Sequence, residues 1–170
     1  LKFGVDIGHN VAYDIGAQGI RKEDELTKEV GIKLMERLRN LGHTVVNCTP
    51  SSASNLGDSL YKRVLIANQN NIDYFISIHF NSGGESGTEI FALSEEGRAL
   101  GEKILTEIVG LGFYNRGVKD GNRLYVLKNT KAIGILMEIA FVDSKDDMYL
   151  YNSDSIVNAI IKGINSKIGK

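Results

Sequence analysis

The sequence predicts an α/β domain: a mostly parallel, twisted sheet of about six strands, with helices on both faces. Two observations lead there. Short apolar runs alternate along the chain with amphipathic stretches of 14 to 19 residues, the pattern of strands joined by crossover helices. The 170 residues, 42% hydrophobic and 24% charged, suit one domain spanning 1–170, and no repeat, linker or low-complexity tract divides them.

Residues 2–7 (KFGVDI) read as a buried strand, followed by the turn Gly8, His9, Asn10 and a glycine-containing loop over 11–22. From Glu23 to Leu41 the apolar residues Leu26, Val30, Leu34, Leu38 and Leu41 recur every three or four positions, an amphipathic helix that Gly42 ends. His43, just beyond, is expected to be solvated. Strands are predicted at 44–48, 74–80, 88–92, 124–127 and 134–141, and further helices at 56–69, 95–111 and 155–168. The glycine-rich segment 81–87 (NSGGESG) reads as a flexible turn.

Composition removes several function classes. A net charge of −1 gives no global field for nucleic acid or an acidic membrane surface. No apolar run approaches the roughly 18 residues of a membrane span, and the first residues lack a secretory pattern. The start at Leu1, without Met, leaves export signals or further domains to be expected outside this segment. Cys48 is the single cysteine, so any metal must use histidine and carboxylate ligands. It precedes Thr49 and Pro50 rather than a helix N-terminus that could stabilise a thiolate, and it reads as a small buried residue.

Reactive groups in open α/β sheets collect at the carboxyl ends of the strands, and His9 and His79 both lie there. Strand alternation places His79 with Ser77 and Asn81, opposite Ile76, Ile78 and Phe80. Each histidine equally fits a structural group beside a turn. Glu138 sits inside the apolar run GILMEIAF, where a carboxylate costs several kcal/mol of desolvation unless partnered. A metal-associated water, a Lys or Arg, or solvent would each meet that need. The run Glu23, Asp24, Glu25 opens a helix, which its interaction with the helix dipole explains by itself. Helical phase separates the three: Glu23 falls at the centre of the apolar stripe, whereas Glu25 lies about 200° around the helix. Asp24 and Glu25 read as solvated. Two imidazoles, a carboxylate and an open position form the ligand set of a catalytic zinc site, although other divalent metals accept the same donors.

Four stretches, in order, carry a family resemblance: FGVDIGHN (3–10), GAQGIRKEDE (16–25), SLYKRVLIANQNNIDYFISIHFNS (59–82) and RGVKDGNRLYVLKNTKAIGILMEIAFVDSKDDM (116–148). Together they resemble the zinc N-acetylmuramoyl-L-alanine amidases of bacterial cell-wall hydrolases and phage endolysins, over nearly the whole chain. The resemblance implies His9, Glu23 and His79 as ligands of one zinc ion and Glu138 as the catalytic acid and base. It implies hydrolysis of the amide between N-acetylmuramic acid and the L-alanine of the stem peptide. Peptidoglycan is then the partner, with a separate cell-wall-binding domain in the full-length protein, no nucleic acid and no membrane insertion. The expected location is the bacterial cell wall, reached as an extracellular autolysin or from the host cytoplasm as an endolysin. Asn10, Thr27 and Ala140 depart from the family pattern, where Gly, Asn and Gly are frequent. Asn81, Arg116 and Lys119 are candidates for the groove by position, and equally ordinary surface residues. The rival readings are a zinc peptidase or deacetylase acting on another cell-wall bond, and an inactive wall-binding module.

Overall fold

A computed structural model describes residues 1–169. Its strands are β1 (Lys2–Ile7), β2 (Thr44–Asn47), β3 (Tyr74–Asn81), β4 (Thr88–Ala92), β5 (Asn115–Asp120) and β6 (Ile133–Phe141). Its helices are α1 (Glu23–Asn40), α2 (Leu56–Gln69), α3 (Glu95–Val109), α4 (Tyr125–Asn129), α5 (Lys145–Leu150) and α6 (Ser153–Ile168). The six strands form one sheet in the order β2-β1-β3-β6-β4-β5. The first four of these run parallel, β4 is antiparallel to β6, and β5 is parallel to β4.

Both faces of the sheet are covered, as side-chain alternation requires of a buried sheet. On one face Phe3, Val5, Ile7, Ile76, Ile78, Ile135, Met137 and Ile139 pack with α1, α3 and α6 in the larger core. On the other, Phe75 and Leu136 pack with Cys48, Val64, Ala67, Val126 and Leu127, beneath α2 and α4. Among the described residues no helix is long and apolar enough to cross a membrane.

The structure corrects three expectations. Residues 124–127 are not a strand: 125–129 form α4, which buries Val126 and Leu127 and exposes Tyr125 and Lys128. Four apolar residues are too few for periodicity to distinguish the two states. The remaining strand is instead β5, NRGVKD, at the sheet edge, where polar and cationic residues blunt an exposed ladder and leave no apolar signal. Leu41 is 44% exposed, because α1 ends at Asn40 and the helical phase stops with it. His43 is buried, not solvated, with its ring edge-on to Phe3 at 5.0 Å between centroids.

Strand β1 lies between β2 and β3, so the chain leaves it first to one side and then to the other, and the carboxyl ends of β1 and β3 open a crevice at that switch. A buried cation fixes this edge. Arg63 of α2 is 1% exposed and donates from Nη1 to Asp6 Oδ1 (2.6 Å) and to the Ile7 carbonyl (2.7 Å). Its Nη2 donates to the His9 carbonyl (2.6 Å) and to Asp14 Oδ2 (3.2 Å), and its Nε to Ser59 Oγ (3.2 Å). Ser77 of β3 completes Asp6 through a 2.7 Å hydrogen bond. Removing one partner of a buried ion pair strands the others without compensation. Arg63→Met is therefore expected to lower the free energy of unfolding by about 3–5 kcal/mol in urea titrations; a loss below about 1 kcal/mol would show that Asp6 and Asp14 do not depend on it.

Candidate metal centre and acid

The turn after β1 passes close against β3. Gly8 donates its N–H to the Ile78 carbonyl (2.9 Å), and a Cβ on Gly8 would lie 2.5 Å from that oxygen and 2.6 Å from the His79 ring. Only glycine lets the two strand ends approach so closely. His9 and Asn10 then adopt left-handed backbone conformations, φ 58° and 60°. Such conformations persist in residues other than glycine where surrounding contacts hold them. Here Arg63 holds the His9 carbonyl, and Asn10 Nδ2 donates to the Gly8 carbonyl (2.9 Å) and to Thr27 Oγ1 (2.8 Å). Two departures from the family pattern, Asn10 and Thr27, thus hydrogen-bond each other. The third, Ala140, is fully buried in β6.

Glu23, at the first position of α1, is 3% exposed, whereas Glu25 faces solvent. Its Oε1 accepts the Phe80 N–H (3.0 Å) and its Oε2 the Ala17 N–H (2.8 Å), which fixes the carboxylate between β3 and the preceding loop. Asp24 is less solvated than expected and accepts the Gly16 N–H (3.0 Å). Glu23 Oε1 stands 3.2 Å from His9 Nε2 and 3.3 Å from His79 Nδ1. The three side chains offer ligand atoms within 4.8 Å of one another. Two imidazole nitrogens and a carboxylate oxygen at that spacing can hold one metal ion, and the donor set suits zinc.

The far side of His9 supports this arrangement. Its Nδ1 lies 2.7 Å from Asp14 Oδ1, while Asp14 Oδ2 is held by Ser59 (2.7 Å) and Arg63. A carboxylate on one ring nitrogen orients the other toward a metal, as in carboxylate–histidine–zinc arrangements. Burial disfavours a charged His9 ring, but Asp14 and Glu23 outweigh it and raise its pKa to about 10. Burial likewise works against the Glu23 carboxylate, yet His79 and His9 hold its pKa well below the usual range.

Glu138 of β6 is the register neighbour of His79 on one side and of Glu89 on the other. The two acids are treated differently. Glu89 accepts from Asn81 Nδ2 (2.8 Å), pairs with Lys119, and has Arg116 Nε at 3.5 Å. The Glu138 Oε2 atom is buried with no hydrogen-bond partner. Burial, opposed by His79 and reinforced by Glu23 and Glu89, pushes the Glu138 pKa up to about 7. Such a group can take and return a proton near neutrality.

Asn81, Arg116 and Lys119 thus converge on Glu89. The sequence reading missed Asp6, Asp14, Ser59, Arg63 and Glu89. Asp6 and Glu89 carried the same signal as Glu138, a carboxylate within a short apolar strand, while Asp14 lay in a loop without periodicity.

Two outcomes follow. Asp14→Asn is expected to weaken zinc binding about 10- to 100-fold in a chelator competition, and unchanged affinity would remove Asp14 from the support of His9. Cys48 is fully buried, and burial pushes its thiol pKa up to about 12, so the native protein is expected to resist thiol reagents at pH 8 until unfolded. Rapid labelling in the folded state would contradict that placement.

The family model described as N-acetylmuramoyl-L-alanine amidase matches residues 4–170. An uncharacterised Clostridium perfringens protein is 31% identical over 98% of this chain and 52% of its own length. The N-acetylmuramoyl-L-alanine amidase CwlM of Bacillus licheniformis is 31% identical over 96% of this chain and 65% of its own. The first relatives matched are thus about twice as long as the chain. The solved catalytic domain of CwlV, an N-acetylmuramoyl-L-alanine amidase from Bacillus (Paenibacillus) polymyxa, superposes with a TM-score of 0.84 at 25% identity, covering 99% of this chain and 98% of that one. Matched along almost its whole length, the chain belongs to the N-acetylmuramoyl-L-alanine amidase family.

Proposed function

We propose that residues 1–170 form the catalytic domain of a peptidoglycan hydrolase that cuts the amide between N-acetylmuramic acid and the L-alanine of the stem peptide. The observation that carries this reading is the unpartnered Glu138 oxygen, set beside three convergent side chains of a donor set that could hold a metal ion, in a chain of the amidase family. His9 through Nε2, His79 through Nδ1 and the Glu23 carboxylate would hold one zinc ion. When bound, zinc supplies Lewis acidity, polarising the scissile carbonyl and lowering the pKa of water toward roughly 7.

The chain's own groups do the rest. Glu138, buried with one oxygen unpartnered, takes a proton from the attacking water and returns it to the leaving amine nitrogen, acting first as base and then as acid. Glu89 stays bound to Asn81 and Lys119. Arg63 and Asp14 hold His9 in place throughout. The partner is peptidoglycan, at the bacterial wall. The greater length of the matched relatives supports a further wall-binding domain in the full protein.

Glu138→Gln keeps the shape of the side chain but cannot accept and return the proton. It is expected to retain one zinc per chain while release of stem peptides from cell walls, read as new amino groups without new reducing ends, falls by about 10²–10⁴-fold. Undiminished release would reject the role of Glu138. New reducing ends in the wild-type digest would reject the bond assignment.

A further inference from the structure

The candidate centre opens into a cavity of about 410 Å³, within the range of small-molecule sites. It extends from His9, His79 and Glu138 over the α2 and α4 face, where its wall is Leu56, Leu60, Phe91, Leu124, Val126 and Leu136. Leu56 and Tyr125 stand 53% and 41% exposed at its margin. The charges lining it are nearly all matched. Asp6 and Asp14 are paired with Arg63, and Glu89 with Lys119. Arg123 is exposed, lines the same cavity, and makes no ion pair or hydrogen bond among the described residues.

We infer that this cavity takes the stem peptide and that Arg123, at its margin, pairs with a peptide carboxylate. The inference rests on the amidase reading, which supplies a substrate with two unlike halves. One half is a neutral glycan dense in hydroxyl groups, which would lose its hydration against six apolar side chains. The other is a peptide that begins with the alanine methyl and carries carboxylates, the first on the D-glutamate that follows. An apolar wall with one unmatched guanidinium complements the second half. Arg123 is thereby a specificity-determining residue, favouring peptides with a free carboxylate on D-glutamate over those in which it is amidated.

The test is an NMR titration of the zinc-loaded protein with two synthetic peptides, L-Ala-γ-D-Glu-L-Lys and its D-isoglutamine counterpart. The carboxylate form is expected to bind about three- to tenfold more tightly, with shifts at Leu60, Leu124 and Tyr125 and a preference that shrinks as salt rises. Arg123→Met keeps an apolar stem on an exposed site and is expected to abolish the preference. Equal binding of the two peptides, a preference that survives Arg123→Met, shifts confined to another surface, or no binding at millimolar peptide would each overturn the inference. Digestion of cell walls by the same preparation reports separately on the amidase reading: an active enzyme with any of those results loses the subsite alone.

Discussion

A single buried guanidinium organises the carboxyl edge of this sheet. Arg63 reaches from α2 to two carboxylates, two backbone carbonyls and a hydroxyl, and so ties the helix to the end of β1 and to the loop that follows. A charge removed from water to this depth persists only where its donors are satisfied, and here all three guanidinium nitrogens have partners. The consequence reaches the site directly. Arg63 holds the carbonyl of His9, whose left-handed backbone turns its ring toward His79, and it holds Asp14, which sets the direction of that ring. The candidate ligand His9 therefore rests on a structural ion network, and the strain of the turn is carried by the fold.

The same economy of partners separates the acids. Asp6, Asp14, Glu23, Glu89 and Glu138 all lie around this edge, and four of them are bound by cations, hydroxyls or backbone amides. Glu138 is left with a buried oxygen that has no partner, and its proton affinity rises accordingly. Neighbouring carboxylates with different surroundings can thus take different tasks, one remaining charged and another exchanging a proton. Pairing Glu89 with Lys119 of the neighbouring strand β5 contributes to this difference.

Much of this was legible in the chain. The 3.6-residue stripe of α1 located that helix and singled out Glu23, because a buried face must point toward the sheet. Alternation in β3 put His79 on the face shared with Ser77. The convergence of His9 with both came from the family resemblance, since a turn residue has no period to follow. The failures have equally physical causes. Strand β5 owes its place to pairing with β4, and its edge position removes the apolar pattern by which strands are recognised. His43 follows a helix-ending glycine but folds back over Phe3, a tertiary contact that no local signal announces. The Arg63 network joins residues 6, 14, 59, 63 and 77, which only the crossover of the chain brings together.

The most direct measurement is a crystal structure of the zinc-soaked protein with anomalous diffraction recorded at the zinc edge. One strong peak is expected, bonded to His9 Nε2, His79 Nδ1 and the Glu23 carboxylate, with Asp14 still on His9 Nδ1 and Glu138 beside the ion without ligating it. A peak at other residues, or none at this edge of the sheet, would contradict the metal centre on which the proposed chemistry depends.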